Sequence, residues 1–384
     1  MKLSHSILTL ALAFLFCGCI HIETGKSRSD SSGDYDVATE LVSEGGIGAE
    51  IRELEVVNRN GKLRIVGSES GPWTWKHTLQ LKARDAEAGA TAARSVSIAA
   101  TTNGQVLRVE LETPENLRHT RVRSDLEMRV PRNTAVRVTQ GFGPVEIEGI
   151  SSNVTAKVSN GKLTLEDIGG TVTAESSFGA MAARRTGPAR LTNRNGSIDA
   201  LEIRGSLDAK TGFASLRAES IGGPARLKNA NGPIEVSGAT ELDASTSFGS
   251  LEARNIAGAA NLENRNGRIV ASELHGPVIA DTSFAPLTLD TDGPSITGRN
   301  QNGSIHIRSR SVSLTNLVAE TSFATLEVRL PSGLNPRIEA HSDFGKVESD
   351  FQVITHSPSG SGASAGEPRI QLNDRNGTIR VIRD

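Results

Sequence analysis

Residues 195 to 232 read NGSIDALEIRGSLDAKTGFASLRAESIGGPARLKNANG, and this stretch decides the fold. Asn195-Gly196 opens it, Phe213-Ala214 falls half-way along, and Asn231-Gly232 opens the next repeat. The alternation runs through the chain. Asn-Gly pairs begin at Asn160, Asn195, Asn231, Asn266 and Asn302, spaced 35, 36, 35 and 36 residues, with Phe142, Phe178, Phe213, Phe248 and Phe284 between them, each followed by Gly or Ala. The repeating unit is therefore 17 or 18 residues long. Each unit carries two short aliphatic alternations separated by a Gly- or Pro-containing corner. Leu163, Leu165, Ile168, Val172 and Ala174 fill these places in one unit, and Ile269, Ala271, Leu274, Val278 and Ala280 in another.

Alternation with period 2 is the strand signature, and two such runs within 18 residues leave no room for a helix. One unit cannot bury its apolar face alone, whereas stacked units share a continuous interior and pair their backbones above and below. The sequence thus predicts an all-β protein, a parallel β-solenoid with 17 to 18 residues per coil, capped by an irregular N-terminal region with one short helix.

The last alternating pair of each unit differs in order. Units that begin with Asn end large then small, as in Leu207 and Ala209, and units that begin with Phe end small then large, as in Ala225 and Leu227. The small residue precedes the next Phe, so volume matching predicts a buried ladder of Phe142, Phe178, Phe213, Phe248, Phe284, Phe323 and Phe344. On that reading Phe213→Asp or Phe248→Asp melts the protein. Asn160, Asn195, Asn231, Asn266, Asn302 and Asn376 are expected at corner turns, where Gly supplies positive φ and the Asn amide satisfies backbone groups.

Six segments follow. Residues 1–18 are expected as a lipoprotein signal peptide, 19–44 as a lipidated cysteine and flexible tether, and 45–140 as a β-rich cap. Residues 141–355 form the regular solenoid, 356–368 a Gly/Ser-rich loop, and 369–384 a terminal coil strand. The helix of the cap is expected over Asp85 to Arg94, and Trp73 and Trp75 in its interior. Lys2 followed by the apolar run Ile7 to Phe16 is of signal-peptide length, too short for a membrane span. Leu15-Phe16-Cys17-Gly18-Cys19 resembles a bacterial lipobox, which implies lipid attachment at Cys19 and, with Ile20 following, the outer membrane of the cell envelope, with the leaflet left open. Ordinary signal-peptidase cleavage is the alternative. The chain holds only two cysteines, Cys17 and Cys19, so a mature chain starting at Cys19 has no intrachain disulfide.

Leu126-Glu127-Met128-Arg129-Val130-Pro131, Val136-Arg137-Val138, Gly143-Pro144-Val145-Glu146-Ile147 and the Asn-Gly coils together resemble the bacterial putative-adhesin family of β-strand repeat proteins of unknown function, the DUF4097 type, over residues 50 to 384. The resemblance implies strand repeats without catalytic residues and points toward adhesion.

Chemistry is sparse in the sequence. Forty-two basic against 44 acidic side chains give a net charge of -2, which argues against nucleic acid as a partner. The histidines lack metal-ligand spacing, Asp290 and Asp292 lack the ligands that would complete a calcium loop, and the serines before each Phe have no base, so no metal, cofactor or catalytic residue is assigned. Arg59, Arg194, Arg265 and Arg375 sit inside N-x-N-G or D-x-N-G corners, an edge that could meet an acidic partner or one that merely discourages aggregation. The expected function is a non-catalytic envelope lipoprotein acting as an adhesion, spacer or assembly element, anchored by its lipid to the membrane and partnered by an envelope protein, a surface protein or a polysaccharide. The alternatives are a periplasmic scaffold or envelope-stress factor and, behind it, a polysaccharide-active β-helix enzyme.

Overall fold

A computed structural model describes residues 19–25, 35–44, 51–69, 73–83, 87, 91–92, 95–112, 121–354 and 367–384. The expected signal peptide and most of the Gly/Ser-rich loop lie outside these residues. The chain divides into two compact units, Met1–Phe178 and Gly179–Asp384.

In the second unit every coil contributes one strand to each of two parallel sheets. Leu207–Thr211, Ala225–Asn229, Leu242–Thr246 and Ala260–Asn264 follow one another in one sheet. Leu216–Ile221, Ile234–Ala239, Leu251–Ile256 and Ile269–Leu274 follow one another in the other. Burial alternates along each strand, so every second side chain faces the interior. Parallel strands in register bring equivalent positions of successive coils directly over one another. The alternation of large and small residues resolves this crowding: Ala225 lies between Leu207 and Leu242, and Leu227 between Ala209 and Ala244. Leu207, Leu227 and Leu242 thereby each face a methyl above and below, whereas in the other sheet Ile198, Leu216, Ile234 and Leu251 stack directly on one another.

A second corner is built from left-handed residues. Glu202, Ser220, Asn255 and Glu273 have φ of 55°, 59°, 56° and 55°, each immediately before a buried aliphatic, Ile203, Ile221, Ile256 or Leu274. Two consecutive side chains then face solvent before the chain turns inward. The conformation costs a residue with a Cβ about 1 to 2 kcal/mol, and burial of the following aliphatic offsets it.

The C-terminus does not end the stack. Arg369–Asp374 inserts between Asn316–Thr321 and Arg337–Ser342, and Ile379–Arg383 between Leu326–Leu330 and Val347–Ser349. The segment expected as terminal thus has further strands beyond it, Arg337–Ser342 and then Val353–Ile354 in one sheet and Val347–Ser349 in the other. Its insertion also explains the two successive Phe coils near the C-terminus, because Asn376 lies between Phe323 and Phe344 and restores the alternation.

In the first unit, Glu53–Asn60 lies between Val106–Glu112 and Ala135–Phe142, and Leu63–Ser68 between Arg121–Pro131 and Val145–Glu148, all in parallel. Among the described residues, antiparallel pairing is confined to the first unit, where Thr74–Ala83 joins Arg121–Pro131 to Tyr35–Glu44, Tyr35–Glu44 pairs with Cys19–Gly25, and Ser97–Asn103 pairs with Val106–Glu112. The expected tether therefore contains two strands, as the alternation of Val37, Thr39 and Leu41 allows. Trp73 and Trp75 are buried as expected. Within the expected helix, Glu87, Thr91 and Ala92 are helical, as is Ser95 just beyond it, and Ala92 packs against Leu79, Leu81 and Val96.

Candidate functional site: the Phe and Asn corner

In the second unit the residue two positions before each corner marker is polar, and all of these but the half-buried Ser342 are buried. Asn193, Asn229, Asn264 and Asn300 are 0 to 3% exposed, and Thr211, Thr246, Thr282 and Thr321 are buried in the alternate coils. A buried amide must find partners. Asn264 finds three: its Nδ2 donates to the carbonyls of Gly249 and Arg268 at 2.7 and 3.2 Å, and its Oδ1 accepts from the amide of Gly267 at 2.9 Å. Asn229 and Asn300 repeat this pattern. The threonines close the other coils, as Thr246 and Thr282 donate to the carbonyls of Gly232 and Gly267 in the preceding coil.

Asp374 occupies the Asn place in the inserted coil. Its Oδ1 accepts from the amides of Asn376 and Gly377, while its buried Oδ2 has no partner. Burial raises its pKa above the usual carboxylate value, against three backbone hydrogen bonds that lower it. A carboxyl whose pKa is raised on folding contributes stability that is complete below the ordinary carboxylate pKa and lost as pH rises through the folded value. Asp374→Asn restores the missing donor. It should stabilise the second unit by about 1 to 2 kcal/mol at pH 7, and the gain over wild type should shrink toward pH 4 in urea denaturation monitored by circular dichroism.

The phenylalanines are the main correction to the sequence reading. Phe142, Phe178, Phe213, Phe248, Phe284, Phe323 and Phe344 are 54 to 82% exposed and form no buried ladder. The volume alternation that suggested burial is used up between neighbouring coils, and the inward place beside each Phe is taken by a polar residue, Thr or Ser in most coils and Gln140 beside Phe142. The intervening residue, Gly212 in one coil and Ser247 in another, turns the chain so that the ring projects outward.

The Asn-Gly corners also work differently from the expectation. Of the Asn-Gly glycines, Gly61 and Gly104, both in the first unit, have a positive φ, whereas Gly161, Gly196, Gly232, Gly267, Gly303 and Gly377 do not. Glycine is required there because the coils approach closely: a Cβ on Gly267 would stand 2.1 Å from the carbonyl oxygen of Gly249. The corner asparagines face outward and bind the coil before them. Nδ2 of Asn231, Asn266, Asn302 and Asn376 donates to the carbonyls of Gly212, Ser247, Ser283 and Ser322.

In the second unit the resulting edge alternates aromatic ring and amide, coil by coil. Charge is uneven along it. Taking each corner from the residue before Phe or Asn to the second residue after it, the cations are Arg194, Arg265, Arg268, Arg375 and Lys346, against the single acid Asp343. Arg268 pairs with Glu252 and Arg375 approaches Asp343 at 4.0 Å, while Arg194, Arg265 and Lys346 form no ion pair among the described residues. The corners of the first unit, with Phe142, Phe178, Asn60 and Asn160, carry Arg59, Lys62 and Lys162 and no acid. The arginines singled out in the sequence do share an edge within each unit, although the exposed rings beside them were not anticipated.

Elsewhere on the second unit, an open depression includes Glu219, Glu235 and Glu252 from successive coils, with Glu219 held by Arg217 and Glu252 by Arg268. Another runs beside the corner, lined by Arg265, Ser283, Arg299, Gln301 and Ser322, among others. Asp290 and Asp292 are engaged by Arg310 and His275 respectively. Among the described residues no cluster of His, Cys, Asp and Glu could hold a metal.

No family model and no curated protein matches the chain. Among solved structures it is similar to a putative cell adhesion protein from Clostridium sporogenes, at 10% identity over 96% of this chain and 100% of that one, with a TM-score of 0.17. It is also similar to a putative adhesin from Bacteroides fragilis, at 9% identity over 91% of this chain and 97% of that one, with a TM-score of 0.14. At such scores neither likeness carries an argument.

Proposed function

We propose that this protein is a non-catalytic adhesion element of the bacterial cell envelope, anchored through a lipid on Cys19 and holding its target along the exposed Phe and Asn corner. One observation carries the reading: five phenylalanines of the second unit stand exposed along one corner, at regular intervals, where a soluble surface has no reason to keep them. A ring that contributes little to the core is retained for contact.

The test uses the mature, lipid-bearing chain and a Phe248→Asp, Phe284→Asp double variant. The variant is expected to melt within a few degrees of wild type, because both rings are already in solvent, and to lose attachment of protein-coated beads to intact cells. Undiminished attachment would remove the corner from the function. Protease accessibility of the protein on intact cells tests its placement: digestion supports surface display, and complete protection would move the protein to a periplasmic scaffold role. Loss of labelled fatty acid in Cys19→Ala tests the anchor.

A further inference from the structure

We infer that the corner of the second unit binds a linear, anionic polysaccharide with a disaccharide repeat, such as a uronate-bearing glycan. The inference rests on the adhesion reading and names its ligand class. Its first support is spacing. Phe213, Phe248, Phe284, Phe323 and Phe344 recur every second coil, so successive rings stand about 9.6 Å apart, close to the rise of an extended disaccharide. A polymer with that repeat offers the same sugar face to each ring in turn, whereas an irregular ligand would meet one ring and miss the next.

The chemistry between the rings fits the same class. Phe offers an apolar face for the C–H side of a pyranose. The intervening Asn231, Asn266, Asn302 and Asn376 have Nδ2 committed to the neighbouring coil, which fixes the amide and leaves Oδ1 to accept from a sugar hydroxyl. The depression beside the corner adds hydroxyl, amide and guanidinium groups at Ser283, Gln301, Ser322 and Arg265; of the three acids that also line it, Asp281 and Glu320 are engaged by Arg299, which leaves Glu263 as the one carboxylate beside Arg265.

Charge separates this ligand from two competitors. The protein as a whole carries -2, yet the corner of the second unit has five cations and one acid, with Arg194, Arg265 and Lys346 available to an incoming anion. A neutral glycan would leave that excess unused. A second copy of the same corner would oppose cation to cation, so the face is poorly suited to pairing with itself.

The experiment is calorimetric titration of the mature chain with hyaluronan oligosaccharides of increasing length, beside uncharged cello-oligosaccharides of matching length. Affinity for hyaluronan should rise with each added disaccharide, fall as salt is raised, and exceed that for the neutral series. Phe248→Ala and Phe284→Ala should each weaken binding about fivefold to tenfold at an unchanged melting temperature. Arg265→Gln should weaken hyaluronan binding and flatten its salt dependence without moving the neutral series. Affinity independent of length, or full binding by the double Phe variant, would overturn the proposal. If the Phe variants abolish bead attachment to cells while no oligosaccharide binds, the ligand class is wrong and the adhesion reading survives; if attachment is also unchanged, both fall. Sedimentation showing a dimer that the Phe variants dissolve would assign the corner to a second copy instead.

Discussion

Asn264→Ala is expected to destabilise the second unit by about 3 to 5 kcal/mol. The side chain is fully buried and serves three backbone groups, the carbonyls of Gly249 and Arg268 and the amide of Gly267. Alanine leaves all three in an apolar interior with no water to replace the amide, and each orphaned group costs about 1 to 3 kcal/mol before any relaxation. The neighbouring Asn266→Ala supplies the contrast. Asn266 is exposed and its side chain gives one hydrogen bond, to Ser247, which water can replace, so its removal should cost less than about 1 kcal/mol. Urea denaturation of the two variants, read by far-ultraviolet circular dichroism, distinguishes them. Equal midpoints would show that the buried amide does not hold the corner.

Acidification should destabilise the first unit by up to about 3 kcal/mol between neutral pH and pH 4. His77 is 1% exposed, its Nε2 lies 2.8 Å from Ser124 Oγ, and its Nδ1 is buried without a partner. Burial lowers its pKa from 6.5 to about 4, with Asp125 opposing the shift. Above pH 6.5 the ring is neutral whether the chain is folded or not, so His77 imposes no pH dependence there. Between 6.5 and about 4 the unfolded chain gains a proton that the folded one refuses, and stability falls with falling pH across that window. Both tryptophans of the chain, Trp73 and Trp75, are buried in this unit, so their fluorescence reports its unfolding selectively. His77→Gln should flatten the profile; a profile as steep as wild type would acquit His77.

The period of the chain made the solenoid legible, because strict alternation at Leu207 and Ala209 or at Leu216 and Ala218 admits one backbone geometry. The corners were less legible. By parity, an inward run through Leu207, Ala209 and Thr211 would carry Phe213 inward as well, and only the turn at Gly212 reverses it. The alternation of Ala and Leu looked like space reserved for a ring, whereas it lets adjacent coils accommodate one another. The buried Asn229 and Asn264 are hard to read from sequence because asparagine in a turn usually reads as solvent-facing, yet an asparagine lies two residues before Asn195, Asn231, Asn266 and Asn302 alike. The left-handed corner left a quieter trace: Ala218 and Ile221 are both inward but three apart, which a plain strand cannot achieve, and no glycine at Ser220 advertised the bend. The cationic excess of the edge could be counted from sequence, but the rings it surrounds became visible only when their direction was known.

The insertion of the C-terminal strands sets an order of events during synthesis. The piece that must lie between residues 316–330 and 337–349 emerges after both of its neighbours, so this part of the stack has to wait for residues 369–383 before it can close. Until then, two sheet edges that belong apart face a vacancy one strand wide. A nascent chain arrested before Arg369 would carry unpaired edges able to recruit strands from other molecules, and residues 369–383 therefore act as a wedge that seals both edges at once.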